Sequence, residues 1–244
     1  MKTKKPQKKE SKRFVHWLSA PGNVCLPYAE SAFTDSPNWR IFRIMAEFVE
    51  GFEFLVPLVQ EVSIFGSART QEDHPSYQDA RTLGKLLGQN GFTVLTGGGP
   101  GIMEAANRGA VEGGGESVGL NIQLPREQRT NSYVKRSIGF HYFFTRKVML
   151  SASAQAYVFY PGGFGTMDEM TEMITLIQTG KMPDNVPVIL VGKDYWGPWL
   201  EWVKSAMMMD GHYIEPEELA IIQLVNSAEE AFNIIKETHE RPYG

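Results

Sequence analysis

Residues 92–107 read FTVLTGGGPGIMEAAN, and this stretch decides the fold class. A short β-branched run ends in a glycine turn, and a helical pattern begins at Ile102. Residues 156–169, AYVFYPGGFGTMDE, repeat this arrangement with a second strand, a second glycine turn and a helix predicted from Thr166. A strand that leads through a tight turn into a helix is typical of βαβ units, whose strands are parallel.

The same alternation of strand and helix continues from residue 62 towards the end of the chain. We predict strands at 62–65, 92–96, 117–120, 156–160, 186–191 and 221–225, and helices at 77–89, from 102, near 146, from 166, at 198–208 and at the end. The runs YVFY and VPVILV are apolar throughout, as expected of strands covered on both faces. The predicted fold class is α/β, a Rossmann-like doubly wound parallel sheet with helices on both faces and an N-terminal helical extension.

The N-terminal region divides into a basic segment and a predicted helix. Residues 1–13 carry a net charge of +6 within a chain of net charge −4, and we interpret residues 1–35 as a solvated tail and leader rather than a nucleic-acid arm. Residues 36–58 form the predicted helix, with Ser36 placed to cap it. Its broad apolar face has to pack on the body or on another subunit. Residues 59–244 form the α/β domain.

Composition limits the possible classes of protein. With 42% apolar and 21% charged residues, the chain is expected to be globular. A single cysteine excludes an internal disulfide, and the five histidines show no zinc spacing, so we expect no metal and no cofactor. No apolar run approaches the roughly 18 residues of a membrane span, which predicts a soluble, cytoplasmic protein.

The two glycine turns outline a phosphate site. Glycines such as Gly98 and Gly99 let a ligand approach the backbone, and the helix start after each turn offers unpaired N–H groups. If the turns follow neighbouring strands, two helix N-termini can surround one anion. Ile102 stands where a dinucleotide fingerprint needs its third glycine, which disfavours NAD, and the pattern is not a kinase-type ATP loop. Two structural alternatives remain, a simple chain reversal and a capping box formed by Thr166 and Glu169.

Arg146 and Lys147 lie between the turns in the aromatic stretch FHYFFTRKVML, residues 140–150. An arginine here can bind a phosphate or a sugar oxygen, and the aromatic rings can stack on a base. The alternative is a helix whose rings fill the core while both cations reach water.

The segments SIFGSAR, LTGGGPGIMEAAN, GLNIQLPREQ, FFTRKVML and PGGFGTMDEMTEMITLIQTGK, in this order, resemble the Lonely Guy phosphoribohydrolases. Members of this family were formerly labelled lysine decarboxylases. The resemblance covers about residues 60–190 and implies hydrolysis of the N-glycosidic bond of a purine riboside 5′-monophosphate, which releases the free base and ribose 5-phosphate. In the cytokinin-activating members the base is an N6-modified adenine.

The resemblance also implies site residues and partners. It makes 59–244 a nucleotide-binding catalytic domain, with Arg146 and Glu169 as the catalytic pair and a homodimer or larger homo-oligomer as the assembly. No nucleic acid or membrane partner is implied. With the first glycine turn added, the substrate-binding residues are Gly98, Gly99, Glu127, Lys147, Gly163, Phe164, Gly165, Thr166, Met167, Asp168 and Thr175. Phe144 stands where short members of the family have histidine, and we do not assign a cytokinin as the product.

The chemistry of this bond suggests a role for Glu169. Cleavage at C1′ passes through an oxocarbenium-like state, which a nearby carboxylate stabilises. We expect Glu169 in the first turn of its helix, where the helix dipole keeps it ionised and makes it a weak base. The alternative function is a non-catalytic carrier of a nucleotide or of the molybdenum cofactor, against which the presence of both Arg146 and Glu169 argues. A pyridoxal-phosphate decarboxylase is disfavoured because no lysine has the context of a Schiff-base residue.

Overall fold

The structure is a computed structural model that describes residues 37–123 and 130–241. The expected basic tail 1–35, the proposed cap Ser36 and the proposed substrate residue Glu127 lie outside the described residues. The chain divides into two units, Met1–Arg40 and Ile41–Gly244, and the sheet belongs entirely to the second.

The described part of the chain contains seven strands and seven α-helices, which alternate except where β4 follows β3 directly. Their bounds in chain order are α1 Pro37–Leu55, β1 Glu61–Phe65, α2 Pro75–Gln89, β2 Thr93–Thr96, α3 Ile102–Glu112, β3 Glu116–Ile122, β4 Arg136–Phe140, α4 Phe143–Ala152, β5 Ala156–Phe159, α5 Phe164–Gln178, β6 Val188–Val191, α6 Lys193–Trp202, β7 Ile222–Val225 and α7 Ala228–Ile235. A π-helical segment, Val203–Asp210, continues α6, and a 3₁₀ segment, Pro216–Ile221, precedes β7.

All seven strands pair in parallel in the order β4-β3-β2-β1-β5-β6-β7. The predicted Rossmann-like α/β fold is therefore confirmed. The strand order reverses between β1 and β5, where Val62 to Phe65 pair with Ala156 to Phe159. Open parallel sheets bind their ligands beyond the carboxyl ends of the strands at such a switch point.

Two apolar cores cover the faces of the sheet. Side chains of β1 and β5 alternate between them, so that Ile64 and Val158 face α2, α3 and α7, whereas Phe65 and Phe159 face α1, α4, α5 and α6. The rings of Phe65 and Phe159 stack with their centroids 4.8 Å apart. This packing fixes the ends of β1 and β5, from which two loops of the candidate site begin.

Helix α1 has one buried stripe and one exposed apolar face. Glu47, Gly51 and Leu55, spaced by four residues, are buried. On other sides of α1, apolar side chains such as Phe42 and Val49 are exposed in the single chain. Whether a second copy covers them, as the expected homo-oligomer requires, stays a prediction.

Two elements differ from the sequence predictions. Strand β4 was not predicted, because RSIGF at the sheet edge alternates in burial and includes Gly139, unlike the apolar central strands. Helix α6 begins at Lys193, five residues before the predicted start at Pro198, which lies inside the helix. No helix in the described ranges is long and apolar enough to cross a membrane.

Candidate active site

A cavity of about 440 Å³ lies at the switch point of the sheet. Phe65 at the end of β1 and residues from the loops that follow β1, β2 and β5 surround it. Its lining residues are Phe65, Gly66, Ser67, Ala68, Arg69, Gly97, Met103, Arg146, Gly163, Phe164, Gly165, Thr166 and Glu169. The volume lies within the range typical of pockets for small-molecule ligands.

The loop after β1 lies between the two glycine turns. The condition that both turns follow neighbouring strands is not met, because β1 separates β2 from β5. The backbone N–H of Ser67 donates to the carbonyl of Pro161 (3.1 Å). The carbonyl of Ser67 accepts from the N–H of Ile102 (3.1 Å). The β1 loop therefore connects both turns, and it uses one of the N–H groups at the start of α3. Sequence reasoning did not assign Ser67 or Arg69 to the site, although both lie in the segment SIFGSAR.

Helix α5 begins at Phe164, with Gly163 at the N-cap and no side-chain cap. The expected helix start at Thr166 is therefore wrong, and the alternative of a capping box formed by Thr166 and Glu169 is excluded. Thr166 lies inside the first turn and is buried, and a Cβ at Gly162 would collide with it. Gly162 and Gly163 thus allow the helix to begin before Thr166, the start that the sequence pattern indicated. Glu169 is the sixth helical residue, so its expected position in the first turn is also wrong.

Arg146 on α4 and Glu169 on α5 form a largely buried ion pair at the cavity. The Nη2 of Arg146 donates to Oε1 of Glu169 at 2.9 Å, and each side chain is only 13% exposed. Burial raises the pKa of Glu169 to about 7, although Arg146 and Lys147 act in the opposite direction. The expectation that the helix dipole holds Glu169 fully ionised is therefore wrong, because burial of the carboxylate is the larger effect.

The guanidinium of Arg146 is confined on several sides. Its Cζ lies 5.5 Å from the ring centroid of Phe143. A Cβ added to Gly97 would lie 3.3 Å from its Nη1, so the first glycine turn approaches Arg146 closely. Its Nε is buried and has no hydrogen-bond partner among the described residues. Buried N–H groups are almost always hydrogen-bonded, so the Nε–H is a candidate donor to a bound ligand or water.

Lys147, the neighbour of Arg146, pairs with two acidic residues of α5. Its Nζ lies 2.7 Å from Oδ2 of Asp168 and 3.2 Å from Oε2 of Glu172. Partial burial alone would lower the pKa of Lys147, but hydrogen bonds to Asp168 and Glu172 raise it above its ordinary value. These contacts connect α4 to α5 beside the ion pair of Arg146 and Glu169.

The other residues from the sequence analysis are distributed unevenly around the cavity. Gly98 and Gly99 line a smaller adjoining cavity of about 50 Å³, which shares Gly97, Met103 and Arg146 with the larger one. Thr175 is exposed further along α5, where its Oγ1 donates to the carbonyl of Thr171 at 2.7 Å. Six of the predicted site residues do not line the larger cavity within a single chain: Gly98, Gly99, Lys147, Met167, Asp168 and Thr175.

A buried polar network holds the first glycine turn. The Oδ1 of Asn107 accepts from Oγ1 of Thr96 (2.7 Å) and from Nδ2 of Asn131 (3.0 Å), while its Nδ2 donates to Oγ of Ser117 (2.9 Å). The backbone N–H of Gly98 donates to Oγ1 of Thr96, and Asn131 donates to the carbonyls of the same turn. The sequence analysis missed these residues, since their roles depend on contacts between distant segments.

Across the two described ranges, no group of three or more His, Cys, Asp or Glu side chains is arranged to hold a metal ion. The charged side chains that line the cavity are Arg69, Arg146 and Glu169.

Comparisons with known proteins place this chain in a family. A family model described as "Possible lysine decarboxylase" matches residues 103–235. The cytokinin riboside 5′-monophosphate phosphoribohydrolase LOG of Oryza sativa subsp. japonica is 32% identical over 171 residues, which cover 67% of each chain. The enzyme LOG3 of Arabidopsis thaliana is 30% identical over 182 residues, which cover 70% of this chain and 81% of LOG3.

Solved structures share the fold. The molybdenum cofactor binding protein of Rippkaea orientalis superimposes with a TM-score of 0.54 at 22% identity and covers 72% of this chain and 93% of that protein. A carrier protein for the same cofactor from Chlamydomonas reinhardtii gives a TM-score of 0.52 at 22% identity, over 72% of this chain and 96% of the carrier. Because identity is low, these likenesses show the fold alone. The extent of the family match and the similarity to the plant enzymes show that the chain belongs to the Lonely Guy (LOG) family.

Proposed function

We propose that this protein hydrolyses the N-glycosidic bond of purine riboside 5′-monophosphates, with free base and ribose 5-phosphate as products. The observation that carries the proposal is the buried pair of Arg146 and Glu169 at a nucleotide-sized cavity at the switch point of the sheet. Relatives named as phosphoribohydrolases of cytokinin riboside 5′-monophosphates support the reaction type. N6-modified adenines are among the bases to test.

The start of α5 would bind the phosphate. The first hydrogen bond of this helix runs from the N–H of Met167 to the carbonyl of Gly163, so earlier amides have no partner within the helix. Phe164, Gly165 and Thr166, which contribute these amides, line the cavity. Arg69 lines the same cavity and forms no ion pair with any described residue. A helix N-terminus with an arginine beside it is a strong site for a phosphate dianion.

Glu169 would act on the sugar. Its Oε1 accepts from Arg146, and the attacking water would bind at Oε2. In hydrolysis the bond between C1′ and the base nitrogen breaks, the water oxygen bonds to C1′, and the base receives a proton. The ionised Glu169 stabilises the positive charge at C1′ and accepts a proton from the attacking water, for which a pKa of about 7 is well matched.

Arg146 would set the position and the charge state of Glu169. Its hydrogen bond orients the carboxylate, and its positive charge opposes the effect of burial on the pKa of Glu169. Its unpartnered Nε–H can donate to a sugar oxygen or to an ordered water.

The test is incubation of the purified protein with AMP, adenosine and pyrimidine monophosphates, with identification of the free base and ribose 5-phosphate. Each charge-assisted hydrogen bond to the phosphate contributes about 1.5–3 kcal/mol, so loss of even one makes adenosine a poorer substrate by about tenfold or more. Glu169→Gln should abolish most turnover. The control is Glu50→Gln on α1, which removes an exposed carboxylate that does not line the cavity.

The alternative function, a non-catalytic carrier, gives a different result in the same experiment. A carrier retains intact AMP and releases neither base nor ribose 5-phosphate. Retention of AMP without products, in wild type and Glu169→Gln alike, would refute the proposed reaction.

A further inference from the structure

The buried carboxylate of Glu47 lies on α1, outside residues 103–235 of the family match. It is 9% exposed and forms no ion pair within the described ranges. A buried carboxylate is costly unless several donors compensate it. Three donors from the segment that begins α4 do so here, and none comes from α1 itself.

The three donors fix the start of the helix that carries Arg146. The oxygens of Glu47 accept from the backbone N–H of His141 (2.9 Å), from that of Tyr142 (3.3 Å) and from Oγ1 of Thr145 (2.6 Å). Tyr142 is the N-cap residue of α4 and provides no side-chain cap. Glu47 therefore caps α4 from another helix, at the end where the helix dipole favours a negative charge.

A short chain of contacts leads from Glu47 to Arg146. The carbonyl of Tyr142, whose N–H is bound by Glu47, accepts from the backbone N–H of Arg146 at 3.4 Å. One turn after Glu47, a Cβ at Gly51 would lie 2.6 Å from Sδ of Met149. Helix α1 thus touches α4 at both ends of the turn that bears Arg146.

We propose that Glu47 is a positioning residue for Arg146, so that the N-terminal helix α1 takes part in setting the geometry of the active site. The inference rests on the proposed function for its kinetic readout. A loosened start of α4 displaces the guanidinium from Glu169 and leaves the start of α5, where the phosphate binds, in place. The effect therefore falls on kcat more than on KM.

The test compares Glu47→Gln with the wild type and with Glu50→Gln, an exposed glutamate on the same helix. The glutamine retains the shape of the side chain but directs an N–H₂ group towards the donors of α4. A misplacement of about 1 Å costs up to about 100-fold, so we expect kcat for AMP to fall about 10- to 100-fold with KM changed by less than about threefold. Thr145→Val, which removes one donor, should lower kcat, and Thr145→Ser, which keeps the hydroxyl, should restore it.

A readout without substrate keeps this inference separate from the proposed function. The NMR signal of the Arg146 Nε–H, assigned by its loss in Arg146→Lys, should shift or broaden in Glu47→Gln and remain unchanged in Glu50→Gln. If wild type does not cleave AMP, the proposed function fails, and this signal still tests the positioning role. A kcat within about twofold of wild type for Glu47→Gln, or an unchanged Arg146 signal in a folded variant, would overturn the inference.

Discussion

Glu169→Gln is expected to stabilise the protein increasingly as the pH rises, while it removes turnover. The reason is that the side chain of Glu169 is only 13% exposed. Burial raises its pKa from the ordinary value of 4.5 to about 7. Between these two values the folded protein keeps a proton that the unfolded chain has already released. Each increase in pH across this interval therefore favours the unfolded state of the wild type. Glutamine has no such proton, so the variant lacks this dependence.

The size of the effect follows from the two pKa values. At about 1.4 kcal/mol per pH unit, a rise from 4.5 to about 7 corresponds to about 3 kcal/mol. Below about pH 4.5 both states carry the proton, and the wild type and the variant have similar stabilities. Above about pH 8 the full difference is present, and about 2 kcal/mol of it develops between about pH 5.5 and about pH 8.

The assay is urea denaturation of both proteins at several pH values, with the free energy of unfolding of the variant minus that of the wild type as the measured quantity. Titrating groups remote from Glu169 are common to both proteins and cancel in this difference. Glu50→Gln, which removes an exposed carboxylate from α1, is the control. A difference that is constant with pH, or that decreases as the pH rises, would refute the reasoning that burial dominates at Glu169.

Three further predictions concern rate, sterics and the polar network. The kcat/KM for AMP should rise about tenfold per pH unit below about pH 7 and level off above it, because ionised Glu169 is the active form; a flat pH profile would contradict this. Gly97→Ala places a Cβ 2.9 Å from Sδ of Met103 and 3.3 Å from Nη1 of Arg146, so kcat/KM should fall by about tenfold or more. Gly197→Ala, where a Cβ meets nothing within 4 Å, should leave the rate unchanged. Asn107→Ala leaves several buried polar partners unsatisfied and should lower the free energy of unfolding by about 2–4 kcal/mol in urea denaturation.

The fold could be predicted from sequence because its signals are local. The glycine turns after β2 and β5 each couple a short apolar strand to a helix, and this coupling alone indicates parallel βαβ units. Strand β4 was missed because it lies at the edge of the sheet, where alternating burial and Gly139 remove the apolar signature. The order of the strands was also not visible, so the position of β1 between the two turns was found only in the structure.

Some residues of the cavity could be predicted from the sequence, but its electrostatics could not. Arg146 and Glu169 follow from their motifs, and the structure brings them to 2.9 Å. The raised pKa of Glu169 depends on burial by elements distant in sequence, which no local pattern reports. Thr166 shows the opposite weakness, since a local pattern typical of a helix cap is present there, whereas the helix begins two residues earlier, at Phe164, with Gly163 as its N-cap.

The arrangement of α1, α4 and α5 explains how the pair of Arg146 and Glu169 can keep its geometry although the buried carboxylate lowers the stability of the folded protein. At alkaline pH the buried Glu169 lowers the free energy of unfolding by about 3 kcal/mol. If Arg146 were mobile, the ion pair could relax by moving the carboxylate of Glu169 into water. Glu47 prevents this from the side of Arg146 by fixing the start of α4, and Lys147 fixes α4 to α5 through Asp168 and Glu172. The pair is thus held by contacts on helices rather than on loops, which keeps the carboxyl group buried and its pKa near neutrality. A carboxyl group in this state can accept a proton from water at the pH of its surroundings, which a fully solvated glutamate does poorly.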